Sequence, residues 1–139
     1  MSAFVERHLV LILRIAGYAT ASMLLVAVAP NFALAAMFGQ APAGALEETI
    51  ARNWGFLIGL VGLSLIYASY VPGARRLAMM IAVSSKAVYI TLFLTVGRAH
   101  LGDALVAVLF DALVVLVFLA YLMSTPSEFP GRGAERDGD

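Results

Sequence analysis

The 139-residue chain has no cysteine, which excludes a disulfide, a thiolate zinc site, an iron–sulfur cluster, a c-type haem attachment and thiol redox chemistry. Charge is scarce as well: 13% of residues are Asp, Glu, Lys or Arg, about half the roughly 25% of a soluble domain. Nine basic residues balance nine acidic ones. No positive field exists to hold a phosphate backbone, so nucleic acid is excluded as a partner. The only histidines, His8 and His100, fall at opposite ends of apolar segments, about a bilayer thickness apart, and cannot sandwich one haem. A nucleophile elbow, a phosphate loop, an HExxH motif and a dinucleotide fingerprint are all missing. The sequence thus offers no catalytic residues, implies no metal and no cofactor, and points away from an enzyme.

What is plentiful is apolar. Hydrophobic residues make up 62% of the chain, against roughly 45 to 50% in soluble proteins. They gather in four runs, 8–29, 53–70, 77–96 and 104–123, each about 18 to 22 residues and so matched to a hydrocarbon core of roughly 30 Å. The pattern predicts an all-α, integral membrane four-helix bundle over 1–125 and a polar cytoplasmic tail over 126–139. Short connections at 71–76, with Pro72 and Gly73, and at 97–103 make the last three helices antiparallel neighbours. In the longer connection, Asn31 is placed to cap a short helix over 32–38 that Gly39 ends. That piece is apolar on most faces and belongs in the membrane interface or folded back on the bundle.

The small residues Ala33, Leu34, Ala35 and Ala36 resemble a signal-peptide cleavage region. Arg14 interrupts the preceding run, however, and about 20 residues exceed the usual 7 to 15 of a signal core, so the first helix is read as retained. Arg7, Arg75, Arg76, Arg132 and Arg136 fall on the side of both termini, against Arg52 and Arg98 on the other. This asymmetry puts both termini in the cytoplasm. No internal repeat is visible, which disfavours an inverted-repeat transporter in one chain.

Ionisable groups at membrane depth are costly and carry the most information. Three qualify: Arg14, Lys86 and Asp111. Lys86 and Asp111 flank the third connection and lie within roughly 4 Å of the same depth, which predicts an interhelical ion pair. Such a pair fixes register, relays protons or ions, or offers Asp111 to a lipid or quinone headgroup. Arg14 either snorkels to cytoplasmic headgroups or turns inward to Asp111 or the Tyr67 hydroxyl. Tyr18, Tyr67 and Tyr89 each need a hydroxyl partner and are candidate ligand or lipid contacts. Gly55, Gly59 and Gly62 form a small-residue stripe for close helix approach, within the bundle or between subunits. Phe56, Phe93, Phe110, Phe118, Met79 and Met80 read as packing. Ser84 and Ser85 beside Lys86 do not by themselves make a Ser–Lys dyad.

The outer rim gathers Glu47, Glu48, Arg52, Asn53, Trp54, Arg98, His100 and Asp103. No spacing there is diagnostic of a metal. The rim reads as a solvated surface with Trp54 as an interfacial anchor and with cross-loop pairs of Arg52 with Asp103 and Glu48 with Arg98.

Three short motifs, Ala29-Pro30-Asn31-Phe32-Ala33-Leu34 with Phe38-Gly39, Arg52-Asn53-Trp54-Gly55, and Val96-Gly97-Arg98, resemble those of the small bacterial DoxX-like four-helix membrane proteins. The likeness covers residues 9–122, and the Lys86 and Asp111 pair belongs to none of its motifs. Some DoxX relatives are subunits of quinone-linked membrane oxidoreductases, so the resemblance implies an accessory or scaffold role and carries no catalytic residues. The leading expectation is a non-enzymatic subunit that packs against and stabilises a larger membrane complex, as a sheet of helices with little cavity. The alternatives are a homo-oligomeric carrier or pore using Lys86 and Asp111, and a small quinone-linked enzyme subunit. Expected partners are the lipid bilayer and a membrane complex or further copies of the chain, with quinone or lipid as ligand.

Overall fold

The computed structural model describes residues 3–125. The tail 126–139, with Arg132 and Arg136, lies outside the described residues, as do the charges it contributes to the orientation argument. Among the described residues the chain is helical, with no strand. Six α-helices follow one another: α1 (Ala3–Ala21), α2 (Leu24–Val28), α3 (Pro30–Phe38), α4 (Ala45–Tyr70), α5 (Arg75–Thr95) and α6 (Leu101–Ser124). Four stretches are long and apolar enough to cross a membrane: Glu6–Val28, Ala45–Tyr70, Pro72–Thr95 and Arg98–Ser124. Large apolar side chains such as Val28, Val106, Leu116 and Met123 stand outward, an arrangement that costs free energy in water and none in hydrocarbon.

Three boundaries differ from the sequence reading, each for a local reason. The first apolar run is two helices: around Ser22 the backbone bonds shorten to i→i−3, with Met23 N–H donating to Thr20 O and Val26 N–H to Met23 O. The chain tightens there and restarts as α2. Helix α3 begins at Pro30 with Ala29 as its N-cap (φ −131°), so Asn31 is inside the helix and does not cap it. Proline drives the residue before it out of helical backbone and suits the first helical position, where its missing N–H is no loss. Gly39 ends α3 as expected, in left-handed backbone at φ 69°. Helix α4 starts at Ala45, eight residues before the apolar run. Its first turn carries Glu47 and Glu48, which suit the positive end of the helix, and Glu47 Oε2 accepts the Ala43 N–H at 2.6 Å. Apolar runs mark where a helix enters lipid, and a polar turn that caps well extends beyond that point.

Helix α4 packs against α1 and α2 on one side and α5 on another, and α5 against α6. The contact of α4 with α1 and α2 is made by glycines. A Cβ at Gly17 would sit 2.7 Å from Ile66 Cγ1, and one at Gly55 would sit 2.7 Å from the Ala27 backbone nitrogen. One at Gly59 would strike Leu24, and one at Gly62 the backbone of Ala21. The stripe Gly55, Gly59 and Gly62 is thereby used within the chain, answered from α1 by Gly17.

Two apolar clusters result. The larger joins Leu9, Leu13, Ala16, Leu65, Ala68, Ala78, Met79, Ala82, Val114 and Phe118. The smaller joins Val26, Ala33 and Ala51, with Met23, Leu34, Met37 and Trp54 packed on it. Helix α3 packs against α4 and α6, and Phe38 stacks on Phe93 of α5 with centroids 5.8 Å apart.

Candidate functional site

Between the two clusters lies a cavity of about 120 Å³. Its walls come from every long helix: Ala19, Thr20 and Met23 from the first span, Trp54, Ile58 and Val61 from α4, Ser85, Lys86 and Tyr89 from α5, Ala107, Phe110 and Asp111 from α6, with Met37 of α3. The expectation of a sheet of helices with little interior space is therefore corrected. The tight glycine contact draws α1 and α4 together, while the break at Ser22 and the side chains of Trp54 and Phe110 leave room beside it.

The structure brings Lys86 and Asp111 together in this wall. Lys86 Nζ donates to Asp111 Oδ1, with side chains 7% and 15% exposed, and the ammonium lies 5.8 Å from the Phe110 ring centroid. The two charges neutralise each other in a setting where either alone would be strongly disfavoured. The pair still leaves N–H groups on the ammonium and a second oxygen on the carboxylate.

Thr20 is the most informative wall residue. It is 5% exposed, and its Oγ1 is buried with no hydrogen-bond partner, alone in this among the described side chains. Helical hydroxyls ordinarily bond back to a carbonyl three or four residues earlier. Thr49, Ser64, Ser69, Thr91, Thr95 and Ser124 all do so. Thr20 does not. An unpaired buried hydroxyl costs about 1 to 3 kcal/mol.

The other sequence-predicted residues divide. Tyr89 lines the cavity and its ring lies 4.8 Å from that of Phe93. Tyr18 and Tyr67 stand outward, 61% and 60% exposed, and contribute nothing to an interior site. Arg14 takes neither inward route proposed for it: Nε–H makes a long 3.4 Å bond to Ser69 Oγ, and the guanidinium lies 4.8 Å from the Tyr70 ring centroid. The side chain points toward the end of α4, where Ser69 and Tyr70 lie.

The rim pairs are corrected too. Arg52 bonds Glu48 at 2.7 Å, one turn away on the same helix and already in register, so it does not cross to Asp103. Its Nη1 also donates to the carbonyls of Ala27 at 2.8 Å and Val28 at 3.0 Å, closing the end of α2 that Pro30 leaves open. Arg98 Nε–H turns back to Leu94 O at 2.5 Å and does not reach Glu48. Trp54 lines the cavity. His100 and Glu47 line a shallower recess of about 330 Å³ with Phe38 and Phe93, and Asp103 is exposed in the first turn of α6. Among the described residues no three acidic or histidine side chains converge as a metal site requires.

Sequence reasoning missed Thr20, Met23, Met37, Gly17 and the inward face of Trp54. Only Gly17 carried a signal, a small residue opposite a glycine stripe. No protein family, curated protein or solved structure matches the chain.

Proposed function

We propose that the protein is a membrane-embedded binding protein, of the carrier type, for a small lipophilic molecule with a polar head. The observation that carries this reading is the cavity whose otherwise mostly apolar wall holds an ion pair, Lys86 with Asp111. Concave, mostly apolar spaces with a few convergent polar groups are the usual form of small-molecule sites. A scaffold subunit needs none of this: the accessory reading that follows from a DoxX-like resemblance leaves the cavity and its ion pair without a use. In this account the bundle is antiparallel, lies in a bacterial inner membrane with both termini cytoplasmic, and carries α3 at the outer interface.

Trp54 is the single tryptophan of the chain and lines the cavity, so its fluorescence reports occupancy. Bromobenzene, a heavy-atom quencher, is expected to quench Trp54 saturably in wild-type protein in nanodiscs. In Ala107→Leu, which pushes further carbons into the cavity, the quench should become linear, as for simple partition into lipid. Linear quenching in both would overturn the reading.

A further inference from the structure

The cavity and its ion pair leave one intramembrane charge without a counterpart. Between Leu9 and Val28 Arg14 is the only charged residue, and it falls inside Glu6–Val28, a stretch long and apolar enough to cross a membrane. A lone cation at that depth is costly unless an anion answers it. Among the described residues no carboxylate does so. The ion pairs there are Glu48 with Arg52, Glu6 with Arg75 and Lys86 with Asp111. Glu6 is the single acidic residue of α1, and Arg75 already engages it.

What Arg14 does touch is neutral. Nε–H makes its long bond to the Ser69 hydroxyl, and the guanidinium lies over the Tyr70 ring. The N–H groups on its two Nη atoms make no hydrogen bond among the described residues, and they form a fork that matches two oxygens of one anion. Ser69 and Tyr70 are the last residues of α4, itself long and apolar enough to span. The guanidinium therefore stands where a span ends and lipid headgroups begin, with one face covered by a ring and its edge open. Tyr18 follows Arg14 by one turn on α1, and Tyr67 precedes Tyr70 by one turn on α4, on the same helix faces. All three tyrosines are exposed to lipid, and a phenolic hydroxyl in that setting needs a partner.

We infer that Arg14 holds the phosphate of an anionic phospholipid on the outside of the bundle, at the end where α1 begins and α4 finishes. Charge, place and donor count select this ligand together. A lipid of net negative charge cancels the guanidinium, whereas a zwitterionic one brings its own cation and leaves the charge unanswered. A carboxylate has two oxygens, both taken by the fork; a phosphodiester keeps further oxygens for the neighbouring tyrosine hydroxyls. The assignment gives Tyr18 and Tyr67 a use that the interior cavity does not. It stands apart from the binding reading, so either can fail alone.

The test is native mass spectrometry of the full chain in mild detergent, offered equal amounts of phosphatidylglycerol and phosphatidylcholine with the same acyl chains. Wild type should retain one phosphatidylglycerol in preference to phosphatidylcholine. In Arg14→Gln that preference should fall about tenfold, the scale of one charged hydrogen-bonding contact. Arg14→Lys, which keeps the charge and loses the fork, should fall between the two. Arg76 lies at the same end of the bundle, bonded to the Thr125 carbonyl, and Arg76→Gln removes the same charge while leaving the preference close to that of wild type. Unaltered Trp54 emission identifies the variants that keep the fold. A preference unchanged in Arg14→Gln, or lost equally in Arg76→Gln, overturns the inference, the second by showing attraction to surface charge at large. Displacement of the lipid by excess inorganic phosphate overturns the lipid assignment in favour of a site for the free anion.

Discussion

Replacing Thr20 by valine is expected to make the empty protein more stable. Threonine and valine are both β-branched and close in helix propensity, so the backbone and the χ1 restriction carry over. The substitution exchanges a hydroxyl for a methyl group of the same shape at a site 5% exposed, where the hydroxyl has no partner. Removing an unpaired buried hydroxyl recovers about 1 to 3 kcal/mol, and the added methyl contributes up to about 0.8 kcal/mol more by packing. The expected gain is therefore about 2 kcal/mol, in a direction opposite to most core substitutions. The assay is equilibrium unfolding by SDS in mixed micelles, followed by far-ultraviolet circular dichroism and by Trp54 emission. A variant equal to or less stable than wild type without ligand would refute the reasoning, since it would mean that the hydroxyl is already satisfied in the empty cavity.

Three further outcomes follow from the same geometry. Lys86→Met should cost about 3 to 5 kcal/mol by stranding Asp111, whereas the double variant Lys86→Met with Asp111→Leu should recover most of the loss. A double-mutant cycle in the same unfolding assay must show coupling well above about 0.5 kcal/mol. Gly62→Ala should cost about 1 to 3 kcal/mol, because its Cβ would meet the backbone of Ala21, which cannot move aside as a flexible side chain does. Glu48→Ala should cost under about 1 kcal/mol, since its pair with Arg52 is well exposed, at 37% and 46%, and screened; a larger loss would show that Glu48 is needed to hold Arg52 on the α2 carbonyls.

The helices themselves were legible because hydrocarbon thickness imposes a length on apolar runs, and Pro30, Gly39 and Pro72 punctuate them where the backbone demands it. The depth match of Lys86 and Asp111 was legible for the same reason: rise per residue converts position into height. Helix rotation was not, because lipid and protein interior are equally apolar and leave no periodic signature. Trp54 could face water, lipid or the cavity on the same sequence pattern, and only packing of α4 on α2 turns it inward. Tyr18 and Tyr67 are outward for the same undetermined reason. No residue type in the segment announces the break around Ser22 or the unpartnered hydroxyl of Thr20. Arg52 looked like half of a rim ion pair because charge complementarity is visible in sequence, while open carbonyls at a helix end are visible only once the helix is known to end.

The most direct measurement is a crystal structure of the protein soaked with bromobenzene, in which the anomalous signal of bromine locates the molecule without reference to any assumed pose. The account predicts a strong bromine peak inside the cavity bounded by Thr20, Trp54, Phe110 and Asp111 in wild type, and its loss in Ala107→Leu. Bromine peaks confined to the lipid-facing surfaces of the helices, the same in both proteins, would contradict it.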